Sequence, residues 1–143
     1  TESGIMRDIV VNKNRKELKV NAIITKSLMK EHNECSYFNE LILVEDLKKR
    51  TEQFLLRSDV FLALPGGIGT LFEVVEIFNK KVLGETSKKL FIINDFNYWN
   101  PFKNLLEHMI KENFLDKKTV LKNIEFISFC EVKERLNDVQ NSG

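Results

Sequence analysis

Hydrophobic and polar positions follow two periods that alternate along the chain. Mainly apolar runs of strand length stand at residues 18–24, 40–44, 60–64, 90–93 and 124–129, rich in Val, Ile, Leu and Phe. Apolar residues three and four apart predict helices over residues 3–11, 47–57, 70–83, 101–113 and 131–139. Ser3 is placed to cap the first helix, with Ile5, Met6, Ile9 and Val10 on one face. Asp46 is placed to cap the second, whose apolar side includes Leu47, Phe54 and Leu55. Gly84 closes the third as a C′ residue, and Pro101 opens the fourth. Residues 12–17 and 25–36 read as polar connections.

Strands that are apolar throughout are buried on both faces, and helices between them supply the cover. The pattern therefore predicts an α/β protein, a Rossmann-like parallel sheet sandwiched by helices. At 143 residues it reads as a single domain with one core, spanning residues 1–143. An α/β domain normally opens with a strand, whereas this chain opens with a loop entering a helix. The expectation is a domain incomplete at its N-terminus, lacking its first strands.

Composition then removes several function classes. A net charge of +1 gives no argument for nucleic acid or a membrane surface. No apolar run approaches the roughly 18 residues of a membrane span. Cys35 and Cys130 are too few for a disulfide framework and stand in no metal-ligand spacing, so a reduced cytoplasmic protein without metal or cofactor is expected.

The candidate chemistry is concentrated after the third strand, in Pro65-Gly-Gly-Ile-Gly-Thr-Leu-Phe-Glu73. Strand, glycine turn and helix in that order present backbone N–H groups to an anion. Gly66, Gly67 and Gly69 permit positive φ and close approach of a ligand to the backbone. Ile68 and Thr70 add amides, and Thr70 a hydroxyl. No lysine follows the last glycine, so this is not a Walker A loop, and it lacks the G-x-G-x-x-G spacing. Glu73 lies one turn into the helix, and Glu76 a further turn on can share its face. The alternative for this stretch is a tight turn with no ligand. For Tyr98 and Trp99, core packing is favoured over base stacking. His32, His108 and Cys35 are isolated and carry no role.

These residues resemble the PGGxGTxxE signature of the Lonely Guy (LOG) family, long misnamed lysine decarboxylases. Gly4-Ile5-Met6 is similar to the end of that family's GGGxxGLM loop, and Leu47-Lys-Lys-Arg50 to its MxxRK helix. Asn94-Asp-Phe-Asn-Tyr98-Trp99-Asn-Pro101 is similar to its NxxGYYxP segment, so the likeness runs over residues 4–129. The resemblance implies hydrolysis of the N-glycosidic bond of a nucleoside 5′-monophosphate, a cytokinin ribotide or AMP-like, to free base and ribose 5-phosphate. It implies Arg50 and Glu73 as the catalytic pair, with phosphate on Gly66, Gly67, Ile68, Gly69 and Thr70. Met6, Leu47 and Glu76 would support them, and a homodimer is the implied assembly. Leu47, Thr51 and Phe72 depart from the family's pattern, and Arg7 stands where it has a glycine. Arg7, Thr51 and Phe72 motivate a second reading, a non-catalytic module binding a nucleotide or the molybdenum cofactor.

Overall fold

Each predicted strand among the described residues pairs in parallel, and its burial follows from how many neighbours it has. The structure, a computed structural model, describes residues 19–29 and 38–141. The helix predicted over residues 3–11, the turn after it and most of the loop over 25–36 lie outside the described residues. Two compact units divide between Ser58 and Asp59.

In the first unit, β1 (Asn21–Thr25) and β2 (Glu40–Val44) run parallel, with Asn21 opposite Glu40 and Thr25 opposite Val44. A single turn, α1 (Lys26–Met29), follows β1 directly, where the polarity of the segment reads as loop. Helix α2 (Leu47–Arg57) packs on both strands. Its start follows the sequence: Asp46 accepts the Lys49 amide through Oδ1 at 2.7 Å. Such a cap is worth about 1 kcal/mol. Ala22, Ile23 and Val44 are the buried apolar residues of the pair.

The second unit holds β3 (Val60–Ala63), β4 (Lys89–Ile93) and β5 (Glu125–Ile127), all parallel in that order. The middle strand is the most protected, with Leu90, Phe91, Ile92 and Ile93 no more than 2% exposed. That is the expected state of a parallel strand covered on both faces. Helices α3 (Ile68–Val82), α4 (Asn100–Lys111), α5 (Lys117–Asn123) and α6 (Val132–Asn141) complete the unit. Phe91, Ile93 and Ile127 form a core cluster against Val60, Leu64, Val132 and Val139. Phe126 pairs with Ile92 and so faces the other side of the sheet, where Trp99, Phe102 and Phe126 form a chain of ring contacts with centroids 6.3 Å apart at each step. Parallel strands flanked by helices make the chain α/β, consistent with a Rossmann-like fold.

Helix ends follow local chemistry. Gly84 at φ 75° ends α3: its amide bonds to the Lys81 carbonyl and that of Glu85 to the Lys80 carbonyl. Asn113 at φ 64° ends α4 in the same way, so the helix stops at Lys111 rather than running to residue 113. Three further features differ from the pattern. Helix α3 begins at Ile68 rather than Thr70, because Gly67 serves as N-cap and the glycines hide the periodicity. Strand β5 stops at Ile127, where Ser128 and Glu131 form a reciprocal capping box. Helix α5 has no counterpart in the pattern; seven residues with Val120 buried are too few to show a period, but Asp116 caps it through the Thr119 amide at 2.9 Å.

Lys81 is the one charged residue in the buried set of the described residues, 7% exposed on the core side of α3. Its ammonium donates to the Lys88 carbonyl. Burial, followed by the nearby Lys89 charge, holds its pKa below the ordinary lysine value.

Candidate functional site

The turn between β3 and α3 is shaped by what its glycines leave out. A β-carbon on Gly66 would stand 2.3 Å from Oγ1 of Thr70 and 2.8 Å from its Cβ, so this position excludes any side chain. Gly67 and Gly69 have nothing within 4 Å of where a β-carbon would project. None of the three takes positive φ, so the freedom their sequence allows is not used in this turn. Glycine is needed at Gly66 for close approach to Thr70, while Gly67 and Gly69 leave the outer side of the turn open.

The first intrahelical bond of α3 runs from the Leu71 amide to the Gly67 carbonyl at 3.1 Å. The amides of Gly67, Ile68, Gly69 and Thr70 therefore have no acceptor within the helix. Gly67 is the N-cap and offers no capping side chain. An uncapped, glycine-lined N-terminus of a fifteen-residue helix is suited to an anion, because the amides and the helix dipole act together.

A second segment reaches this turn from the end of β4. Asn94 accepts the Trp99 amide through Oδ1 at 2.7 Å and donates through Nδ2 to Asn100 at 2.9 Å. Asp95 accepts the Phe129 amide at 2.9 Å. Between these anchors Phe96 (φ 56°) and Asn97 (φ 59°) are both left-handed. Asn97 stands where the resembling pattern has glycine, and asparagine tolerates this region. Phe96 is fully exposed, so its left-handed backbone costs roughly 1–2 kcal/mol with no packing in return. The doubled bend carries Tyr98 to the glycine turn, where its hydroxyl donates to the Gly66 carbonyl at 2.7 Å. Trp99, its ring edge-to-face with that of Tyr98 at 5.3 Å, is buried at 4% exposed. Core packing thus holds for Trp99 but not for Tyr98, which is half-exposed. The sequence signal for Tyr98 is its fixed place after β4 in the NxxGYYxP-like segment.

Glu73 and Glu76 lie three residues apart on α3, both partly buried. One carboxylate oxygen of Glu73 is closed off from solvent. The turn, both acids and Tyr98 belong to the second unit, whereas Arg50 and Leu47 lie on α2 of the first. Arg50 is partly buried, with its guanidinium carbon 5.4 Å from the centre of the Phe54 ring one turn along. That contact is of cation–π type and holds the side chain along the helix. Thr51, at the lysine position of MxxRK, is fully buried and its hydroxyl donates to the Leu47 carbonyl at 3.3 Å. A lysine there would have to bury its charge, so threonine suits this site as it is built. Leu47 and Phe72 are both more than two-fifths exposed.

Met6, Arg7, His32 and Cys35 lie outside the described residues. His108 is exposed on α4, and Cys130 is an exposed thiol 2.9 Å from the Ser128 hydroxyl. Among the described residues no group of three His, Cys, Asp or Glu is placed to hold a metal ion, and no helix is long and apolar enough to cross a membrane.

Comparison with known proteins places the chain in a family. The model of the family described as "possible lysine decarboxylase" matches residues 4–137. The chain is 32% identical over 93 residues to the probable cytokinin riboside 5'-monophosphate phosphoribohydrolase LOGL2 of Oryza sativa subsp. japonica, covering 65% of this chain and 38% of that protein. It is 30% identical over 112 residues to the enzyme of that name, LOG1, of Arabidopsis thaliana, covering 78% and 51%. With the cytokinin riboside 5'-monophosphate phosphoribohydrolase of Rhodococcoides fascians it shares 35% over 91 residues, covering 60% and 46%. The chain spans about half the length, or less, of these relatives. With the glycine turn, its acid and a match across nearly its whole length, the chain belongs to the LOG family, the family that carries the lysine decarboxylase description.

Proposed function

We propose that this protein hydrolyses the N-glycosidic bond of a nucleoside 5′-monophosphate, a cytokinin ribotide or an AMP-like nucleotide. The observation that carries the reading is the uncapped glycine N-terminus of α3 with Glu73 one turn beyond it. The relatives named above as cytokinin riboside 5'-monophosphate phosphoribohydrolases support the substrate class.

In this reading the amides of Gly66–Thr70 hold the 5′-phosphate and fix the ribose relative to α3. Breaking the bond from C1′ to the base nitrogen leaves positive charge on the ribose, as in other glycosidic cleavages. Glu73 stabilises that charge and takes a proton from the attacking water. Hydroxide equivalent joins C1′, the base leaves protonated, and ribose 5-phosphate remains. Arg50 is the catalytic companion proposed for Glu73, its two-pronged guanidinium suited to holding a ribotide oxygen. Glu76, Leu47 and Met6 support the pair. The assembly proposed is a homodimer. The apolar strip Ile68, Phe72, Val75 and Val82, all more than two-fifths exposed along α3 at seam-like spacing, favours a second copy as its cover.

The test is incubation with AMP and with isopentenyladenosine monophosphate, following free base by chromatography. Release of base is expected from at least one. Glu73→Ala should remove release while leaving ribotide binding in place; undiminished turnover would take Glu73 out of the mechanism. A folded wild-type protein that releases base from neither nucleotide would sink the reading for these substrates.

A further inference from the structure

Gly66 and Gly67 share one planar peptide unit, and planarity makes its carbonyl and its amide point in opposite directions. Tyr98 donates to the carbonyl of that unit at 2.7 Å, 32 positions away in sequence. Whatever fixes the Gly66 carbonyl therefore also aims the Gly67 amide. Between two glycines a peptide flip meets no β-carbon, so the backbone itself resists reversal weakly. A reversed unit would offer the turn's ligand a carbonyl oxygen in place of an N–H donor.

The tyrosine is not held there by burial, since it is half-exposed and its hydroxyl could bond to water instead. It is delivered by a built segment: Asn94 bonded to Trp99 and Asn100, then two consecutive left-handed residues. Retained strain of this kind marks segments whose placement matters. We propose that Tyr98 is a positioning residue for the anion site, keeping the Gly66–Gly67 peptide with its carbonyl toward Tyr98 and its amide toward the phosphate. The inference rests on the reading of the turn as the phosphate site and adds the residue that sets its donor geometry.

Tyr98→Phe removes only the hydroxyl and keeps the ring. The experiment measures KM and kcat for AMP, and Kd for AMP and for adenosine, in wild-type and variant protein. Loss of one charge-facing donor should raise KM and Kd for AMP about tenfold, with kcat changed less than about twofold. Adenosine, which has no phosphate, should bind both proteins equally. A merely structural role would weaken AMP and adenosine alike, and that result overturns the inference. So does an AMP affinity equal to wild type, which leaves the proposed function standing. A wild-type protein that neither binds AMP nor releases base overturns the phosphate reading of the turn, and this inference with it.

Discussion

Gly66 and Thr70 are in such close register that a β-carbon on the first would stand 2.3 Å from the hydroxyl oxygen of the second and 2.8 Å from its Cβ. Thr70 cannot swing clear, because its own Cβ is within the clash. Gly66→Ala should therefore destabilise the protein by about 1–3 kcal/mol, the usual cost of overpacking. Gly69→Ala, in the first turn of α3 with open space around it, should instead gain about 0.5–1 kcal/mol. Urea denaturation of both variants checks the pair. Equal midpoints would show that the turn relaxes more freely than its geometry implies.

Asn94 ties the end of β4 to the start of α4 through one accepted and one donated hydrogen bond. Asn94→Ala would leave the Trp99 amide without its acceptor and should cost about 1–3 kcal/mol. Asn94→Asp keeps the acceptor and should recover more than half of that loss. Chemical denaturation followed by Trp99 fluorescence measures both, and an aspartate no better than alanine would count against the Trp99 bond as the source.

At Phe96 the backbone is left-handed and the ring is fully exposed. Phe96→Gly should relieve the strain and raise stability by about 0.5–1 kcal/mol. Phe96→Ala keeps the left-handed penalty and should gain nothing. A glycine variant melting below the alanine variant in a thermal scan would mean that the strain is not stored here.

Lys81 loses its proton more readily in the folded protein than in the unfolded chain, because burial and then the Lys89 charge disfavour its ammonium. Between the lowered folded value and the ordinary lysine value the unfolded chain binds the extra proton. Stability contributed by this group therefore rises as pH climbs through that alkaline window. In Lys81→Met the rise should be missing. Denaturant midpoints for both proteins, taken from neutral pH to about pH 10, decide it; parallel profiles would remove Lys81 as the cause.

Much of the candidate site is legible in the sequence because it is local. Asp46, Gly84 and Pro101 each act on the few residues beside them, and each marks a helix end as its chemistry implies. The order strand, glycine turn, helix, acid is likewise a property of one stretch of chain, residues 59–73. The reason for the glycines is not legible there: their identity suggests positive φ, whereas close approach to Thr70 is what Gly66 provides. Helix α5 escapes the pattern because one turn or two with a single buried residue, Val120, has no period to read.

Sequence alone determined the alternation of strands and helices, the glycine turn and the acid one turn beyond it, since these depend on spacing and local backbone chemistry. Tertiary structure decided which groups meet across long separations. Tyr98 and Gly66 are 32 residues apart, and only parallel pairing of β3 with β4 brings the segments after both strands to the same end of the sheet. Trp99 and Tyr98 are neighbours in the chain, yet one is buried and the other turned to the glycines. That division is set by the left-handed bend at Phe96 and Asn97 and by the core available to receive one ring, neither of which is written in the identity of the two residues themselves.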